Sequence, residues 1–194
     1  NKRANIYNSG IRGMVLDREE QLTTGDMLMV VKNNYYWLEK ERMNEKLKVE
    51  NDKSNSDTGS LSTKQTDSSP STVSFSLPSS FIANGDRAIV RRVRNVRELY
   101  GFRFADVLLR FPDYDNYELQ ATVLTDTLTS DAPALTREQS NQLFNSVLED
   151  YQDIPRKADR MKQIRQDMYY NALQVKYAYA VTCHKAQGGQ WAHV

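Results

Sequence analysis

Gln174-Val-Lys-Tyr-Ala-Tyr-Ala-Val-Thr-Cys-His-Lys-Ala-Gln-Gly-Gly-Gln-Trp191 begins as a strand and runs into a turn full of hydrogen-bonding groups. Val175, Tyr177, Tyr179 and Val181 alternate with Lys176, Ala178 and Ala180, the period of two that a pleated surface imposes. From Thr182 to Gly189 the chain offers hydroxyl, imidazole, ammonium and amide groups, then two glycines that let a ligand approach the backbone. A strand that ends in such a turn is where an α/β sheet presents its ligand groups. Thr182 and the Gly188-Gly189 amides suit phosphate oxygens, and His184 and Lys185 add charge. On spacing alone an ordinary turn, with His184 a surface residue, reads equally well.

Upstream of this segment the pattern predicts helices. Thr136-x-x-Gln139 is a capping box, followed by an apolar stripe of Leu143, Phe144, Val147, Leu148 and Tyr151. Pro155 suits the first turn of a second helix with Ala158, Met161, Ile164 and Met168 facing inward. Further back lie strands: an apolar run at 27–31, then Asp86–Arg94, Arg103–Phe111 and Tyr117–Leu124, with residues 112–116 as a turn. Short strands, tight turns and a small apolar core describe a barrel of SH3 or OB size. Residues 38–80 read as an excursion between two strands. Its first part, to about residue 53, is charged enough for a short exposed helix. The rest is Ser/Thr-rich, with too little apolar surface to offset its ordering entropy. Residues 1–12 read as a helix, with Ile6 and Ile11 packing inward.

Composition excludes several classes. Lys and Arg total 26 against 25 Asp and Glu, so no global basic field marks a dedicated nucleic-acid module. Arg87, Arg91, Arg92, Arg94 and Arg97, near Tyr100 and Phe102, form a local basic run that suits either phosphate contact with stacking or a solvated outer face. The single cysteine, Cys183, rules out an internal disulfide and agrees with a reducing, cytoplasmic compartment. As a nucleophile it lacks a base, because adjacent His184 points to the opposite face of a strand. No apolar run approaches the length of a membrane span.

Ala180-Val-Thr-Cys-His-Lys-Ala-Gln-Gly-Gly-Gln-Trp191 resembles motif V of superfamily-one helicases of the RecD-like (exodeoxyribonuclease V alpha-subunit-like) group. The His-Lys-Ala-Gln-Gly core is intact and Trp191 fills the aromatic place, while Gln190 stands where Glu is usual. Asn1-Lys-Arg-Ala-Asn-Ile-Tyr-Asn-Ser-Gly-Ile-Arg12 resembles the helix after motif IV. Gly25–Tyr35 and Phe81–Val90 resemble the strands that open the SH3-like barrel inserted in these helicases.

The resemblance implies a mixed α and β fold. It comprises an SH3-like small β-barrel (the 2B insertion) and part of a RecA-like α/β motor domain (2A). Residues 1–22 would start 2A, 23–128 would form the barrel insertion with its 38–80 excursion, and 129–194 would return through helices to the motif V strand. It puts Thr182, His184, Lys185 and Asn8 on single-stranded DNA, and Arg3, Gly188 and Gln190 near ATP. Gly-x-x-x-x-Gly-Lys-Ser/Thr does not occur, nor does an acidic motif for Mg²⁺ or the arginine motif VI. The expectation is a piece of a longer protein that does not hydrolyse ATP by itself. ATP, Mg²⁺ and an N-terminal motor domain would belong to the parent, and no membrane is involved. Two other readings stay open: a stand-alone nucleic-acid-binding module, and an SH3-like domain that takes proline-rich ligands through Tyr35, Tyr36 and Trp37.

Overall fold

The computed structural model describes residues 2–54 and 81–182. Helix α1 (Lys2–Gly10) continues into one π-helical stretch, Ile11–Val15, before the chain enters strand β1 (Met27–Val30). Helix α2 (Tyr36–Ser54) follows. Three antiparallel strands come next: β2 (Arg87–Leu99), β3 (Phe102–Phe111) and β4 (Tyr117–Leu124). The short α3 (Asp126–Thr129), α4 (Arg137–Asp150) and α5 (Lys157–Gln166) lead to β5 (Leu173–Tyr177).

The five strands close into a barrel in chain order. β5 pairs parallel with β4 (Val123 opposite Leu173) and antiparallel with β1 (Leu28 opposite Tyr177). The boundary expected at residue 128 is therefore not a boundary of the sheet, since β5 is the strand that closes it. Leu173, Val175 and Tyr177 are buried on the same core as Leu28, Val30, Val90, Val107, Leu109, Leu119 and Val123. Among the described residues the barrel is the one β-sheet.

Turn chemistry explains the meander. Tyr100 and Gly101 have φ of 58° and 74°, so the β2–β3 hairpin turns on two left-handed residues, as the right-handed strand twist favours. At the β3–β4 turn Asp115 and Asn116 supply positive φ, a conformation that short polar side chains tolerate. β2 shifts register at Val90/Arg92 and Arg94/Arg97, and such bulges let a long strand coil around a small barrel. Along β3 the alternation sorts two cores. Ala105, Val107, Leu109 and Phe111 face the barrel interior, while Phe102 and Phe104 meet Leu143, Val147 and Ile164 of α4 and α5.

The capping box at Thr136 and Gln139 is formed, and the α4 stripe packs as its spacing predicts. Other details differ. β5 ends at Tyr177 rather than running to 182, because β1 begins at Met27 and leaves little to pair with beyond the Ala178 N–H to Met27 C=O bond. In α5 Ile164 is buried, but Ala158 is exposed and Met168 lies past the helix end, where it packs on the barrel core. Ile6 of α1 is 63% exposed, and the residue turned inward is Asn8. The expected short helix spans Tyr36–Ser54 and seats Trp37 and Leu38 in the core. The Ser/Thr-rich part of the 38–80 excursion lies outside the described residues. No described helix is long and apolar enough to cross a membrane.

Candidate functional site

The chain leaving β5 is held from two sides. On one side stands α1. Asn8, 2% exposed, donates from Nδ2 to the carbonyls of Tyr177 (3.3 Å) and Ala180 (2.9 Å), and its Oδ1 accepts the Ala180 N–H at 2.7 Å. One side-chain amide thus does for residue 180 what a neighbouring strand would do. Asn5 repeats the device nearby, donating to the Ser130 carbonyl at 2.9 Å. Asn8, expected on DNA, instead positions the segment that leads to Thr182, because its polar atoms are committed to backbone and buried.

On the other side is a buried ionic network centred on Asp26, whose side chain is 0% exposed. Its carboxylate receives Arg12 through Nε (3.0 Å) and a terminal nitrogen (2.9 Å), Arg18 at 2.8 Å and the Tyr179 hydroxyl at 2.8 Å. The Thr23 N–H adds a further bond at 2.8 Å. Arg12 also donates to the Glu20 carbonyl at 2.7 Å, and its guanidinium lies 4.5 Å from the centre of the Tyr177 ring. Burial opposes charge on Asp26, but the hydrogen bonds from Arg12, Thr23, Tyr179 and Arg18 outweigh it and hold the carboxyl below its ordinary value. Burial also pushes the Tyr177 phenol up to about 12, keeping it neutral under the guanidinium. Removing two charges from water is costly, so this cluster persists only because nearly every lone pair is used.

Together these contacts bring the π-helical stretch, the β1 start and Tyr179 to one point. Neither Arg12, Arg18, Asp26 nor Tyr179 stands out in the sequence as a group. The nearest local sign is Gly25-Asp26 opening an apolar strand.

Of the residues assigned by resemblance, Thr182 is half-buried beside Asn8, lining a crevice of about 30 Å³ that has room for roughly one or two waters. Arg3 is exposed on α1. His184, Lys185, Gly188 and Gln190 lie outside the described residues. The structure therefore joins Asn8 and Thr182, with Arg3 on the same helix as Asn8. Only Arg3 of the nucleotide-side residues is described, and one exposed cation does not make a phosphate cradle.

The basic run on β2 is partly neutralised. Arg87 pairs with Asp113 at 2.5 Å, Arg91 with Glu118 at 3.5 Å, and Arg97 with Asp106 while donating to the Tyr169 hydroxyl at 2.8 Å. Arg92 and Arg94 are exposed and have no partner among the described residues. No protein-family model matches this chain, and a comparison with curated proteins returns no significant relative.

Proposed function

We propose that this chain is a piece of an ATP-dependent DNA helicase or translocase of the RecD-like group. In this reading the barrel is the SH3-like 2B insertion. α1 and the segment after β5 belong to the RecA-like domain 2A, and the segment lies on single-stranded DNA. The observation that carries it is the Asn8 clamp. The opening stretch, which resembles the helix after motif IV, is bonded through Asn8 to the stretch that resembles motif V, although the whole barrel intervenes in sequence. In a motor domain those two motifs would have to meet.

The chemistry follows from the side chains. Thr182 donates its hydroxyl to a phosphate oxygen, and His184 and Lys185 add positive charge along the strand. Asn8 and the Asp26 network fix the direction in which the chain leaves the barrel. Gly188, Gln190 and Arg3 would border the nucleotide, with the other wall coming from an N-terminal motor domain of the same protein. When bound there, ATP with Mg²⁺ supplies the free energy for movement along the strand.

The test is a titration of the chain with fluorescent single-stranded oligonucleotide at two salt concentrations, with His184→Ala and Lys185→Ala beside the wild type. Binding should weaken in both variants. Lys185→Ala should lower the slope of log affinity against log salt by roughly 0.7, one phosphate contact on a single strand. Binding untouched by either variant but lost in Arg92→Ala/Arg94→Ala would refute this contact. That result would favour a stand-alone module reading nucleic acid through β2, the reading that the two unpaired arginines support.

A further inference from the structure

A second cleft has a volume of about 410 Å³. It lies between the residues after β1 (32–36), the first turns of α4 and the approach to β5 (170–174). Two of its walls are aromatic rings open to solvent. Tyr35 is 53% exposed and Tyr170 is 39% exposed. Each has an aromatic neighbour: Tyr35 meets Phe81 at 4.9 Å between ring centres, and Tyr170 meets Phe144, itself a lining residue, at 6.0 Å. Such ring pairs favour one placement of each side chain.

The floor is polar and rigid. The Asn171 carbonyl accepts from the Asn34 amide at 2.9 Å and from the Trp37 indole N–H at 2.9 Å. Gln174 accepts the Leu135 N–H on its side-chain oxygen at 2.9 Å. Its amide nitrogen, the Asn141 side chain and the Ser140 hydroxyl have no partner among the described residues. Among those residues Lys32, exposed at the rim, is the one charged group of the lining, and no carboxylate of theirs faces the cleft.

We propose that this cleft takes one base of a nucleic-acid single strand, stacked on Tyr170 or Tyr35, with Lys32 on the adjoining phosphate. Aromatic faces stack any base, free amides match base edges, and a lone ammonium matches a phosphate. The space suits a nucleotide, which lies at the small end of ligand sites. A proline-rich peptide fits less well. It needs an exposed aromatic ridge, whereas Trp37 is 5% exposed with its N–H already bonded inside. The inference rests on the reading that this chain handles a single strand, and it adds a contact through residues other than those of the Thr182 crevice.

A thymidine oligonucleotide carrying 2-aminopurine tests it, because that base loses fluorescence when it stacks. Quenching should occur on binding the wild-type chain. It should vanish in the Tyr35→Ala/Tyr170→Ala double variant with affinity about 5- to 150-fold weaker, the range for one stacked base, and return when both residues are Phe instead. His184→Ala should weaken binding while leaving the quenching at saturation intact. Binding without quenching, or quenching that survives the double alanine variant, would overturn the cleft alone. Displacement of the oligonucleotide by a polyproline peptide, itself lost in the same variant, would also overturn it. No oligonucleotide binding at all would overturn both this proposal and the proposed function.

Discussion

Asp26→Asn removes one charge while preserving shape, and the structure sets what that costs. The Asp26 side chain is 0% exposed and that of Arg12 is 7% exposed, so neither the guanidinium nor a substituted amide can turn to water in place. The asparagine would keep one acceptor oxygen, but its NH₂ group would face an Arg12 donor in either orientation, Nε on one side and a terminal nitrogen on the other. Breaking one side of a buried pair costs about 3–5 kcal/mol. Arg18, 21% exposed at its side chain, has room to swing outward, which places the expected loss near the lower end, about 3 kcal/mol.

Urea unfolding at pH 7, followed by the same measurement at descending pH, checks both the size and the sign. The Asp26 carboxyl sits below its ordinary 3.8 in the folded chain, so its contribution is fully present above that value. It is lost as pH falls from roughly 5 toward the lowered folded value, where the folded carboxylate finally protonates. Asp26→Asn should therefore be less stable at neutral pH and less sensitive to acid. A variant within about 1 kcal/mol of wild type, or one with an unchanged acid slope, would refute the idea that buried Arg12 depends on the Asp26 charge.

Asn8→Ala should lower stability by about 3 kcal/mol, since it deletes three bonds worth about 1 kcal/mol each to the chain leaving β5. Amide exchange at Ala180 should rise with it, and an unchanged exchange rate there would mean that the clamp is not what orders residues 178–182. Gly25→Ala should cost about 1–2 kcal/mol, because φ of +84° strains any L side chain and the new Cβ would sit 2.9 Å from an Arg18 nitrogen. Thermal unfolding measures it.

The barrel strands were legible because their signal is local. Alternation marks β3 and β4 closely, and Thr136 with Gln139 announces the start of α4. Strand partnership was not legible in the same way. Nothing near Leu173–Tyr177 says that its neighbours are β1 and β4, because that pairing depends on how α4 and α5 fold back over Phe102 and Phe104. Polar interior residues were the least visible. Asn8 looks like any solvated helix amide, since its partners are backbone atoms about 170 positions away. The ionic cluster is hidden for the same reason, with Arg12 and Tyr179 meeting only through Asp26. Of the candidate site residues, the motif supplied Thr182, while the cleft of Tyr35 and Tyr170 required the fold.

Closure of the barrel by β5 has a consequence for biosynthesis. β1 is the first of the five strands to be made, and the strand that covers its second edge arrives about 150 residues later, a long-range pairing of the kind that slows folding. At ribosomal speeds of about 5–20 residues per second, both β1 and β4 wait with an open edge, β1 for roughly eight to thirty seconds. During that interval the Asn34–Ile82 bridge can already gather the chain on either side of the long insertion. The nascent chain is thus a sheet with its seam unsewn, and its risk of pairing with a neighbouring copy ends only when Tyr177 reaches Leu28.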